Sequence, residues 1–137
     1  MIAFNYETEF LLKNHENLID WIIKSIDNEH YRIDDINYIF CDDEYLSELN
    51  IKHLKHKTLT DIISFDYTIG KLISGDIFIS IERVEENAKK FKVSFDDELH
   101  RVMMHGMLHY CGYNDKTDEE KRVMRQKEDY YLSLRDF

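Results

Sequence analysis

The sequence predicts an α/β fold of the α+β kind: a small central mixed sheet surrounded by about five helices, with a metal site on a buried helix and the turn after it. Three observations carry this. Short runs rich in β-branched and aromatic residues recur between segments of helical periodicity. The interleaved order of the two suits helices packed against one sheet. One helical segment, SFDDELHRVMMHGMLHYCG, is apolar nearly all round, as a helix inside a core is. The 137 residues are one domain's worth, 1–137, with no repeat, low-complexity tract or linker.

With no proline and only four glycines, the elements are read from periodicity. IAFNYE alternates weakly and suits a short strand. ENLIDWIIKSIDN sets Leu18, Trp21, Ile22 and Ile26 at helical spacing. INYIFCDD reads as a strand ending in acids, and EYLSELNIKHLKH as a second helix. TDIISFDYT and GDIFISI are strands joined through a turn near Gly70, and the short connection predicts antiparallel pairing. RVEENAKKF is a third helix. In the fourth, Ser94 is the N-cap, Asp97 stands at the capping-box position and Gly112 is the stop. TDEEKRVMRQKEDYYLSL is a charged amphipathic helix capped by Thr117.

Composition excludes some classes of function. No apolar stretch approaches the roughly 18 residues that span a bilayer, so no membrane role is expected. MIAFNYETEF lacks the basic region and apolar run of a signal peptide, which makes the cytoplasm the default. Cys41 and Cys111 read as reduced, buried thiols. Cys111 lies about 200° around the helix from His109, which argues for a core thiol over a ligand. The net charge of −10 speaks at first sight against a nucleic-acid partner, although local fields decide where an anion docks. Basic residues concentrate in KHLKHK (52–57) and KKFK (89–92), and each run taken alone reads as a solvated face.

The fourth helix carries the chemistry. Past its first turn, Arg101, His105 and His109 fall within an arc of about 80°, a polar stripe that faces an internal network or a cleft. Histidines at i and i+4 converge on one ion. Gly112 lets the chain reverse, so that Asp115 swings back with an oxygen donor. The pattern H-x3-H-x2-G-x2-D therefore predicts a metal site of His105, His109 and Asp115. The spacing equals that of a metzincin helix with its third histidine replaced by aspartate. The glutamate base that a zinc peptidase needs after its first histidine is here Gly106, which disfavours peptidase chemistry.

These residues carry a family resemblance. HGMLHYCGYND resembles the HGxLHLxGYxH signature of the YbeY family of zinc-dependent endoribonucleases. TDIISF is similar to that family's TDVLSF strand and GDIFIS to its GDI strand. Leu49-Asn50 matches the LN before them, and Met124 with Glu128 an M-x3-E in the last helix. The resemblance runs from about residue 45 to 130. It implies one Zn2+ per chain on His105, His109 and Asp115, the last standing where the family usually has histidine. Two further positions depart: Leu54 occupies the place of a usual arginine, and Leu59 that of a usual proline.

The resemblance further implies a metal-dependent, single-strand-specific endoribonuclease that hydrolyses RNA phosphodiesters through a metal-activated water. Its expected partners are single-stranded RNA, ribosomal RNA and the ribosomal small subunit. Its expected setting is maturation of the small-subunit rRNA 3′ end and ribosome quality control. With Leu54 in the arginine position, Lys52, Lys55 and Lys57 are candidate RNA contacts, and Arg101 is a candidate for stabilising charge on phosphorus. Asp61 and Asp66 are considered as general base, but read better as a turn cap and a solvent-facing residue, so no base is named. Glu128 is expected to pack or to support the site, and Tyr113 to pack the turn. Two other readings stand beside this one: a ribosome-assembly factor with a structural zinc, and another metallohydrolase without a peptidase-type base.

Overall fold

Backbone pairing in a computed structural model, which describes residues 1–54 and 60–137, joins four strands into one mixed sheet. They are β1 (Ile2–Tyr6), β2 (Arg32–Cys41), β3 (Ile62–Asp66) and β4 (Leu72–Ser80), in the spatial order β1-β2-β4-β3. β1 and β4 flank β2 in parallel, and β3 runs antiparallel to β4, as the short connection predicted. Five α-helices stand among the described residues: α1 (His15–Asn28), α2 (Asp43–Leu49), α3 (Ile81–Phe91), α4 (Phe95–Tyr110) and α5 (Asp118–Ser133). The expected α+β class, a small mixed sheet with about five helices, is what is found. None of these helices is long and apolar enough to cross a membrane.

Alternation along the strands sorts the two faces. Ile36, Tyr38 and Phe40 of β2 and Ile73, Ile77 and Ile79 of β4 point into the main core with α1, α4 and α5. Ile63, Phe65 and Phe78 point the other way and form a smaller cluster with Cys41, Leu46 and Leu49, which α2 covers. Both cysteines are free and buried, and burial pushes each thiol up to about 12.

Some boundaries differ from the sequence reading. β2 begins at Arg32, because its ladder with β4 continues through the polar residues Asp34 and Asp35 past a bulge. The backbone needs no apolar side chain to pair. The predicted helix 44–56 is α2 followed by one π turn at Asn50–Leu54, and its last two residues lie outside the described ones. β4 starts at Leu72 and runs straight through Gly75. A Cβ there would come within 2.5 Å of both the Phe65 carbonyl oxygen and the Tyr110 hydroxyl. The bare position lets that hydroxyl reach the carbonyls of Phe65 and Asp76, at 3.0 and 3.1 Å, and so ties α4 to the β3–β4 pair. Gly106 does the same one turn earlier, since its Cβ would meet the side chains of Ile62 and Ile77 at 3.1 Å.

α4 therefore lies flat on the sheet. Leu99, Val102, Met103, Met104, Met107, Leu108 and Tyr110 are buried, and Arg101, His105 and His109 are the partly exposed stripe. His100 also lies on a buried face, a polar residue that apolar patterning passes over. Arg135 donates to its Nδ1 at 2.7 Å. Burial, with the nearby Arg135 charge, lowers its pKa from 6.5 to about 4.

Two outcomes follow from this packing. Gly75→Ala should cost about 1–3 kcal/mol, read as a lower urea midpoint with an unchanged slope. His100 is neutral in the folded chain while the unfolded chain takes up its proton near 6.5. The unfolded state thus binds more protons between about pH 4 and 6.5, and stability falls as pH drops through that window, by roughly 3 kcal/mol. Urea unfolding of His100→Gln across the same window should lack that component.

Candidate metal centre

Local signals build the site from both sides of a short turn. α4 starts at Ser94, whose hydroxyl accepts the Asp97 N–H at 3.0 Å. It ends in a Schellman motif: the Tyr113 N–H donates to the Leu108 carbonyl at 3.1 Å and the Gly112 N–H to the His109 carbonyl at 3.0 Å. Gly112 takes φ +94, a left-handed value that suits glycine. Thr117 then opens α5 with a reciprocal capping box to Glu120. Between these two stops the chain has room for little but the turn that carries Asp115.

A second restraint holds that turn. The Tyr113 hydroxyl donates to Glu29 Oε1 at 2.6 Å, and Glu29 also receives the Tyr131 hydroxyl and, at 3.0 Å, the Lys127 ammonium. Burial alone would raise the Glu29 pKa, yet these three donors together bring it below its ordinary value. The expectation that Tyr113 packs the turn is met with an added polar anchor at the end of α1.

His105, His109 and Asp115 come together as the spacing predicted. Their donor atoms lie within 4.8 Å of one another. His105 Nε2 is 2.9 Å from His109 Nε2 and 3.1 Å from Asp115 Oδ2, and His109 Nε2 is 3.4 Å from the same oxygen. Donors about 2.0–2.2 Å from a tetrahedral zinc stand roughly 3.3–3.6 Å apart, close to these separations. Two nitrogens and one oxygen also make a suitable donor set for that ion, with a fourth position left over. The residues fit a divalent metal.

The tautomer is fixed from behind. Glu128 Oε2 lies 2.7 Å from His105 Nδ1, so a carboxylate that only accepts makes Nδ1 the donor and leaves the Nε2 lone pair toward the cluster. Arg101 Nη1 donates to the other Glu128 oxygen at 3.0 Å and its Nη2 to Asp129 at 2.7 Å. Burial works against a charge on His105, but the hydrogen bond to Glu128 and the carboxylates of Glu128, Asp115 and Asp61 outweigh it and raise its pKa. Carboxylates that favour a proton there favour a divalent cation in its place.

The cluster opens on a cleft of about 390 Å³ whose lining includes Asp61, Arg101, His105, Asp115 and Glu128, with Phe91 on one side and Arg125 on the other. Asp61 and Glu98 both have raised pKa values, burial first and then neighbouring carboxylates, with His105 drawing Asp61 the other way. Gly106, in contrast, faces Ile62 and Ile77 in the core, so a glutamate at that position would not reach the cluster. Lys52 is exposed on the π turn and is not among the described residues that line the cleft. Lys55 and Lys57 lie outside the described residues.

Sequence patterning left Glu128 without a stated partner and passed over Glu29. A usable signal existed for the first, since Met124, Glu128 and Tyr131 are the buried face of α5 and a carboxylate in that register calls for a buried partner. Glu29 carried none, being one acid at the end of an acidic helix.

An α+β fold with a His–His–carboxylate cluster beside an open cleft defines a protein with a candidate metal centre, built on one helix and its exit turn. Residues 2–135 match the family described as Endoribonuclease YbeY. The chain is 59% identical over 134 residues to the Endoribonuclease YbeY of Flavobacterium johnsoniae, covering 98% of this chain and 96% of that one. It is 56% identical over 134 residues to the protein of the same name in Flavobacterium psychrophilum, with the same coverage of 98% and 96%. The solution structure of a Thermotoga maritima protein superposes with a TM-score of 0.70 at 28% identity, over 97% of this chain and 87% of that one. The chain belongs to the YbeY family, as the motif resemblance implied.

Replacing Glu128 with Gln should leave the fold intact and weaken metal binding about 10- to 100-fold, measured by competition with a chromophoric chelator. Unchanged affinity would mean that the 2.7 Å contact does not hold the His105 ring for the ion.

Proposed function

We propose that this chain is a zinc-dependent endoribonuclease that hydrolyses single-stranded RNA. The observation that carries the reading is the convergence of His105, His109 and Asp115 at an open cleft that His105 and Asp115 line, in a chain of this family. One Zn2+ on these three residues would supply Lewis acidity toward a phosphoryl oxygen and activate water near neutral pH.

The chain's own groups divide the remaining work. Glu128 keeps the proton on His105 Nδ1, and Arg101 keeps Glu128 in place while offsetting its charge. Both ends of the Arg101 guanidinium are engaged with carboxylates, so its part in balancing charge on phosphorus is exerted through this network. Lys121 and Arg125, exposed at the cleft mouth, attract the phosphate backbone. Asp61 and Glu98, held toward the neutral form, are suited to exchange a proton with a leaving or attacking oxygen. A cleft of this volume admits a nucleotide or two, which favours single strands over a duplex. The core-facing Gly106 leaves no peptidase-type base, which speaks against a protein substrate.

The biological setting we propose is cytoplasmic: maturation of the small-subunit ribosomal RNA 3′ end, and ribosome quality control, with that RNA and the small subunit as partners. Its support is the family to which the chain belongs.

The test is cleavage of an end-labelled single-stranded RNA by the zinc-loaded protein beside a His105→Ala/His109→Ala preparation purified identically. Cleavage should be lost in the double variant and on adding chelator. Equal cleavage by both proteins, or by neither, would remove the case for a nuclease and turn attention to a structural role for the metal in ribosome assembly.

A further inference from the structure

α3 ends over the cleft in a way its sequence does not announce. Its buried face is Val84 and Ala88, and Phe91 continues that register three residues on. An aromatic ring in the core-facing register is expected to be buried. Phe91 is instead 51% exposed, because the helix overhangs the cleft at the point where the core stops. Asn87, one turn before it, lines the same wall.

The opposite wall is cationic. Lys121 and Arg125 stand one turn apart on α5 and line the cleft with Met124 between them. No ion pair of Lys121 occurs among the described residues, and Arg125 approaches Glu128 only at 3.9 Å, an acid already held by Arg101 and His105. On the Phe91 side, Lys90 of α3 holds its ammonium over the Phe91 ring, 5.7 Å from its centre, outside the lining of the cleft. The cleft thus has an exposed aromatic and an amide on one side, exposed cations on the other, and His105 and Asp115 of the metal-ligand cluster in its lining.

We propose that Phe91 stacks a nucleobase of single-stranded RNA beside the metal centre, while Lys121 and Arg125 across the cleft take the adjoining phosphates. This rests on the endoribonuclease reading and specifies how that site grips its substrate. Single-strand binding combines cations that follow the backbone with aromatic faces that accept any base, since every base has a π-face. Asn87 is placed to meet a base edge with one donor pair and one acceptor. Phe91 is accordingly a contact that tolerates sequence and discriminates a splayed single strand from a stacked duplex.

The test measures binding of the full chain in chelator, which stops turnover, to a fluorescein-labelled single-stranded RNA by anisotropy. Phe91→Ala should bind roughly 5- to 100-fold more weakly, and Phe91→Trp close to wild type. The new tryptophan should be quenched on adding RNA, while the buried Trp21 of the wild type supplies the unresponsive baseline. An oligomer of the same length made of abasic ribose phosphates should bind wild type at least as weakly as Phe91→Ala binds the normal RNA. Phe91→Ala should distinguish the two oligomers much less than wild type does, the remainder being the Asn87 contact to a base edge. If wild type binds RNA and Phe91→Ala binds it equally well, stacking on Phe91 is overturned and the nuclease reading stands. Equal losses of RNA and abasic affinity in Phe91→Ala overturn it too. Absence of RNA binding by wild type removes both. Should Phe91→Ala fail to fold, the Phe91→Trp quenching and the abasic comparison with wild type still decide.

Discussion

Everything at the site depends on how closely α4 lies against the sheet. Two places without a side chain make this possible, Gly106 above Ile62 and Ile77, and Gly75 beneath Tyr110. The Tyr110 hydroxyl, bonded to two strand carbonyls, fixes the helix against rotation. A helix that is apolar nearly all round has no preferred face of its own, so its orientation must come from such specific contacts. A turn of one residue position, about 100°, would carry His105 from the cleft into the core. Because α3 and α5 both pack on α4, Arg101 and His105 of the stripe are left to line the cleft beside them.

The two ligand-bearing pieces are then held by separate supports. Behind His105 stand Glu128, Arg101 and Asp129; behind Asp115 stand Tyr113, Glu29 and Lys127. Both chains of contacts end in α5, and the second also enlists the end of α1. Buried carboxylates are costly unless each oxygen finds a donor, and both oxygens of Glu128 and of Glu29 do. Neutral apolar residues would fill either place with less desolvation. The retained acids are therefore best explained by what they orient.

Local signals in the sequence were sufficient for α4, its Ser94 cap and Gly112 stop, its polar stripe, the antiparallel β3–β4 pair and the convergence of His105, His109 and Asp115. Each is set by contacts within a few residues or by a single periodicity. Asp97 is the exception on α4, since its carboxylate takes Arg135 and does not close a capping box on Ser94. The polar start of β2 was hidden because a ladder of backbone bonds leaves no side-chain pattern. Glu128 lies 23 positions from His105, and Glu29 lies 84 from Tyr113, distances that no local pattern spans. His100 hid in a buried register, as a single imidazole satisfied by Arg135. KKFK reads as a solvated run, and all four of its residues are exposed, but nothing in the run shows that Phe91 lines the cleft. Register says which side of a helix turns inward; it does not say where the core ends and a cleft begins.

The net charge of −10 was the strongest argument in the sequence against an anionic partner, and the arrangement of charge in the cleft answers it. The acids that line the cleft are each engaged or biased: Asp115 on the two histidines, Glu128 on His105 and Arg101, and Asp61 and Glu98 biased toward their neutral forms by burial. The exposed cations Lys121 and Arg125 stand at the mouth. A phosphate chain approaching from solvent meets the cations first, and at short range these outweigh distant acids because water and salt screen the rest over about 10 Å. An aspartate in place of a third histidine adds one negative charge to the cluster, the place where a divalent cation cancels it. That aspartate would make a bound ion a weaker Lewis acid and would strengthen the electrostatic case for its being held, with charge of opposite sign kept for the side where an RNA strand would enter.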